Sequence, residues 1–122
     1  MALNLLNVAS VIATTTYGAP ATTSATSLLS NAASSGHIYK VNNVTASNVT
    51  ATATAVTVSV NSAAAGGGTA YRIVFQVAVP GNSTLLVLDK NSFIYLMENQ
   101  SIVVTSGISS AIEYVISYED MS

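Results

Sequence analysis

At 122 residues with no cysteine, the chain is long enough to bury one core but has neither a disulfide framework nor a thiolate metal site. Its net charge of -2, five acids against Lys40, Arg72 and Lys90, excludes electrostatic attraction to nucleic acid or to anionic lipid. Charged residues make up 7% of the chain, against roughly 25% in typical soluble domains, and hydrophobic residues make up 50%. The exposed face must therefore be built from Ser, Thr, Asn, Gln and Ala. Such a surface sheds water cheaply and repels other copies weakly. It suits a protein that is packed against neighbours; the alternative is a small neutral domain kept soluble by its hydroxyls.

Met1 to Val8 is expected to be an extended arm or a first strand, with Leu3, Leu5, Leu6 and Val8 available for burial against a neighbour. No Lys or Arg precedes Lys40, so the basic start of a secretory signal is missing and none is expected. No stretch reaches the ~18 unbroken apolar residues of a membrane span, and no membrane partner is expected. Val11 to Tyr17 holds three consecutive threonines, a β-branched run that favours strand. Gly18-Ala19-Pro20 ends it. Thr26 to Ser30 is expected as a short strand and Asn31 to Gly36 as a small-residue loop.

His37 to Thr45 is the next predicted strand. Tyr39 and Val41 share a parity that Val44 does not, a slip that marks a bulge near Asn42-Asn43. Ala46 to Val49 is expected as a connection. Thr50 to Val60 alternates cleanly, and Ala63 to Gly68 reads as a flexible hairpin loop feeding a strand over Tyr71 to Val79. Those two strands should pair. Pro80 to Ser83 is a turn, and Thr84 to Leu88 is apolar without a gap, as for a strand buried on both faces. Short strands then follow over Phe93 to Met97 and Ile102 to Thr105. In the last, Ile112, Tyr114, Ile116 and Tyr118 alternate with Glu113, Val115 and Ser117. Short strands at close spacing predict a single antiparallel β-sandwich or jelly-roll-like barrel of about eight to ten strands. Parity places Val56, Val58, Val60, Ile73, Phe75, Val77, Leu85, Val87, Ile102, Val104, Ile112, Tyr114 and Ile116 in its core.

Chemistry-bearing residues are sparse. His37 is the one histidine; a general base needs an orienting carboxylate and a nucleophile, and no motif supplies them, so it reads as an exposed loop-edge residue. Asp89, Glu98, Glu119 and Asp120 lack calcium-loop spacing, and Glu119-Asp120 reads as a solvated end. Gly66-Gly67-Gly68 lacks the lysine of a phosphate loop. Asn43, Asn48, Asn82 and Asn99 begin glycosylation-like triplets that chance explains in a chain this rich in Asn, Ser and Thr. The six tyrosines are expected in the core or at an interface rather than as a ligand platform. No catalytic residue, metal or cofactor is expected, and the chain does not read as an enzyme.

The segments HIYKVNNVTASN, GTAYRIVFQVAVPGNSTLLVLDKNSFIYLMENQSIVVTSG and EYVISYEDMS resemble small virion structural proteins of tailed bacteriophages, particularly of cyanophages and related marine phages. The resemblance covers roughly Thr22 to Ser122. Its best markers are Lys40-Val41-Asn42, Ala70-Tyr71, Val79-Pro80, Asp89-Lys90, Ile94-Tyr95-Leu96 and Ser117-Tyr118-Glu119. The turn Met97-Glu98-Asn99-Gln100 departs from the Glu-Gly-Asp often found there, which puts any cation role of that turn in doubt. The resemblance implies a virion protein without an active site, best suited to be a capsid decoration or cement protein. A neck, collar or tail component, or a carbohydrate-binding module at the tail tip, is the alternative. The major capsid protein or another virion protein is the expected partner, and low charge with open strand edges predicts self-association as a trimer or dimer.

Overall fold

The period-two runs fold as strands, and the computed structural model, which describes residues 3–122, contains nine of them among those residues. They are β1 (Val11–Gly18), β2 (Thr26–Asn31), β3 (Ile38–Asn48), β4 (Thr54–Asn61), β5 (Ala70–Val79), β6 (Thr84–Leu88), β7 (Ile94–Leu96), β8 (Gln100–Ser106) and β9 (Ile112–Met121). One sheet runs β1-β9-β3-β6, with β7 also on β3 beside β6. The other runs β2-β8-β4-β5. All pairings are antiparallel. The sheets pack face to face as an open sandwich rather than a closed barrel. This strand order is that of a jelly roll whose sixth strand position is split into β6 and β7.

The interior is filled from both sheets. Val41, Val44, Ala46, Ile112, Tyr114 and Ile116 come from the first; Val56, Val58, Ile102 and Val104 come from the second, all fully buried. Of the remaining expected core residues, Val60, Ile73, Leu85 and Val87 are half-buried against this cluster, and Val77 is half-buried. The bulge in β3 lies where the parity slips, with Asn42 as the extra residue between Val41 and Asn43. The expected β4–β5 hairpin forms.

Four expectations are corrected. Phe75 is 58% exposed. β5 carries an extra residue opposite Thr57, where Gln76 takes φ 48°, and another at Ile73, so the side-chain alternation switches twice. Thr84–Leu88 is half-buried, with Leu86 53% exposed, because β6 is an edge strand covered on one face. Ala46 to Asn48 continues β3 instead of leaving it. Ala63 to Gly66 is a docked turn, not a free loop. Gly66 N–H donates to Ser101 Oγ, Ser101 Oγ–H to the Ala63 carbonyl, and Ala64 N–H to Asn99 Oδ1.

Buried amides pin the connections. Asn48 donates to the carbonyls of Thr52 and Val79 and accepts from Thr50. Its amide is thereby committed, which removes the Asn48 triplet from any modification reading. Asn31 likewise donates to the carbonyls of His37 and Leu96. In the β5–β6 turn, a Cβ at Gly81 would collide with the Ala51 backbone, so that position admits glycine only.

Candidate interaction surfaces

Register decides which side chains share a face. In the first sheet, Tyr17 lies opposite Val115, Val115 opposite Thr45, and Thr45 opposite Leu86. This row crosses the whole outer face. Tyr17, Val115 and Leu86 are all exposed, Tyr17 to 78%. The next row toward the β6 turn is polar: Ser47 and Thr84 hydroxyls meet at 2.9 Å beside Glu113. A third row, toward the other end, holds Ala13, Glu119, Lys40 and Tyr95. An apolar band with a polar rim is the usual anatomy of a protein interface.

Beside the band, a shallow depression of about 410 Å³ is lined by Lys40, Asn42, Asn43, Lys90, Ser117 and Glu119. Two of the chain's three basic residues meet there. Lys40 Nζ sits 4.5 Å from the centre of the Phe93 ring, which packs edge-on to Tyr95. The outer face of the second sheet is different: Thr57, Ser59, Asn61, Thr105 and Arg72 line a hydroxyl-rich hollow of about 220 Å³ beneath the docked turn.

At the far end of β3 and β9, His37 and Asp120 are brought together across the sheet, Nδ1 to Oδ1 at 2.5 Å. His37 does sit at a loop edge, just before β3, but it is half-buried and has a carboxylate partner rather than being exposed, and the reading of Glu119-Asp120 as a solvated end is corrected. Both acids lie within β9, and Asp120 is half-buried opposite Tyr39. The juxtaposition joins residues 83 apart in sequence, and no local signal could reveal it. Tyr39 packs on Tyr118 with ring centres 5.0 Å apart. Burial, then the charge of Asp120, pushes both hydroxyls above the ordinary tyrosine range. Among the described residues, the imidazole has a carboxylate to orient it but no hydroxyl nucleophile bonded to the ring. No three His, Cys, Asp or Glu side chains among them converge as metal ligands.

The remaining sequence candidates are dispersed. Leu3 and Val8 are half-buried, while Leu5 and Leu6 sit in a 3-10 turn, Leu5–Asn7, closed by Asn4 Oδ1 accepting from Leu6 N–H. Leu6 is 92% exposed. The segment is thus not a strand over its described residues; Met1 and Ala2 lie outside them. Among the tyrosines, Tyr114 is buried and bonded to Ser106 at 2.6 Å, Tyr71 is on the second sheet, and Tyr17 and Tyr95 are on different rows of the first. Asp89 closes its own turn by accepting from Asn91 N–H and from Ser92 N–H and Oγ–H. Those bonds, the Ser92 hydroxyl first, hold its carboxyl below the usual range. No helix of the described residues is long and apolar enough to cross a membrane. Comparison with protein-family models, with curated proteins and with solved structures finds no match for this chain.

Proposed function

We propose that this protein is a non-catalytic structural component of a tailed-phage virion, a decoration or cement protein on the capsid exterior that bridges neighbouring subunits. The observation that carries this reading is the apolar row Tyr17–Val115–Thr45–Leu86 on the outer face of the first sheet, in a chain with only 7% charged residues. A free domain gains nothing by exposing such a row; a domain seated on a neighbour buries it, each large side chain contributing about 1.5–3 kcal/mol before ordering costs. The resemblance of the Thr22 to Ser122 region to small virion proteins supports the same assignment. Leu5 and Leu6 extend the apolar surface beyond the sandwich and supply a second contact with a shell neighbour. Self-association belongs to the same reading, since the outer faces of several copies make a broader contact than one. The scatter of the tyrosines favours protein contact over a glycan platform.

The test is direct. Electron microscopy of the particle should place density for this fold on the shell exterior, and Leu86→Glu with Val115→Glu should abolish occupancy while the circular-dichroism spectrum stays strand-like. Density at the neck or tail moves the protein to another part of the virion. Full occupancy by the doubly substituted protein ends the docking-face assignment.

A further inference from the structure

The edge of β1 is open and undefended. Among the described residues the sandwich has four sheet edges, and three of them carry devices that discourage pairing. β2 is six residues long, bulged at Leu28, and flanked by the docked turn, whose Ala65 N–H donates to Ser30 Oγ. β5 has two bulges and an arginine and runs into Pro80. The β6–β7 edge is cut in two by the charged Asp89-Lys90 turn. β1 runs eight residues with no charge, no proline and no break in register.

The direction of its free backbone groups follows from the ladder. Ser10 and Ser122 exchange both of their N–H to carbonyl bonds. In an antiparallel ladder, bonded and non-bonded pairs alternate. The bonded partners of β9 are therefore Ile12, Thr14, Thr16 and Gly18. The N–H and carbonyl groups of Val11, Ala13, Thr15 and Tyr17 point to the open edge. Ile12 is on the core-facing parity yet is 58% exposed, so the interior is also uncovered at this edge.

We propose that β1 pairs antiparallel with β1 of a second copy about a two-fold axis through Thr14, joining the two β1-β9-β3 sheets into one. This rests on the self-association included in the function proposed above, and names its surface. One register uses every free group: Val11 opposite Tyr17 of the other copy and Ala13 opposite Thr15, giving about eight backbone bonds. On the outer face that register sets each Tyr17 beside a Val11, a favourable aromatic to β-branched pair. On the inner face it sets Ile12 beside Thr16, and Thr14 beside itself. A two-fold contact opposes a strand to itself, so any charge on it would meet its like; β1 has none. The axis stands perpendicular to the sheet, and the two apolar outer rows end on the same side.

Cysteine cross-linking reads this register directly, since the chain has no cysteine of its own. Thr14→Cys places two thiols across a non-bonded pair with Cβ atoms about 4.5–5.5 Å apart, and mild oxidation should convert most of the protein to covalent dimer. Thr16→Cys, which faces Ile12, should give little. Ala13→Pro removes an N–H aimed at the open edge without touching the β9 ladder, and should weaken the dimer at least about tenfold in sedimentation. A dimer in which Thr14→Cys cross-links no better than Thr16→Cys overturns the β1 assignment but keeps self-association. A wild-type monomer at every concentration overturns both. Virion occupancy of the Leu86→Glu, Val115→Glu protein, which leaves β1 intact, tests the docking face separately.

Discussion

β1 and β5 are both edge strands, of eight and ten residues, and each is held to its sheet by one neighbour. Sequence patterning ranks them wrongly. β5 has the clean alternation of Tyr71, Ile73, Phe75, Val77 and Val79, whereas β1 is interrupted by a run of three threonines. In the fold, β5 spends its alternation on two bulges, turning Phe75 outward beneath Arg72, whose guanidinium carbon lies 5.3 Å from the ring centre. β1 keeps an unbroken register. An edge is protected by irregularity and charge, and those are what the plain strand lacks. A regular hydrophobic pattern therefore marks a strand without telling whether its edge is open.

The contrast breaks most completely if the strand under β1 fails. Ile116, fully buried in β9 and opposite Thr16, should cost about 2–5 kcal/mol when replaced by alanine, read as a lower urea midpoint with an unchanged slope. Dimerisation through β1 should weaken only in step with the loss of folded protein. A stability change below about 0.5 kcal/mol would show that β9 is not the core strand described.

The β5 defence is sharpened at Gln76. At φ 48° a β-branched side chain is strained by about 1–3 kcal/mol. Gln76→Val should destabilise by that amount relative to Gln76→Gly, by chemical denaturation, and neither should alter the dimer constant. Equal stability of the two variants would mean the bulge had moved or flattened. The buried Ser106–Tyr114 bond is next: Tyr114→Phe leaves Ser106 Oγ without its partner and should cost about 1–3 kcal/mol. No loss would mean that Ser106 finds another partner.

Alkaline pH acts on the tyrosines buried in the first sheet. Burial raises the hydroxyls of Tyr39, Tyr114 and Tyr118 above the ordinary value of 10.0. Protons are then held more tightly in the folded than in the unfolded chain, so the stability these groups contribute is complete below pH 10.0 and is lost as pH rises through the folded values. Thermal midpoints should fall above that pH, and less so in Tyr114→Phe; a midpoint flat through strong alkali would contradict the burial. The smallest effect belongs to Phe75→Ala, within about 0.5 kcal/mol because the ring is on the surface. A loss of core size would return Phe75 to the interior.

Much of this fold is legible residue by residue. Turn residues and period-two runs locate the strands, the parity slip locates the Asn42 bulge, and the β4–β5 hairpin follows from adjacency, because each depends on local backbone geometry and on one face being apolar. Val56, Val58, Ile102, Val104, Ile112, Tyr114 and Ile116 fall in the core for the same reason. What lies beyond local pattern had to wait for the tertiary structure. Gln76 sits at positive φ without any glycine to announce it, and Phe75 turned outward with it. His37 met Asp120 only because β3 and β9 are neighbours, and Tyr17, Val115, Thr45 and Leu86 became one row only through the registers of three strand pairs. Composition alone determined that the surface would be nearly uncharged. Where that surface is apolar, and which edge is left open, was decided by strand order, since pairing across sequence distance is set by the packing of the whole sandwich and not by any single strand.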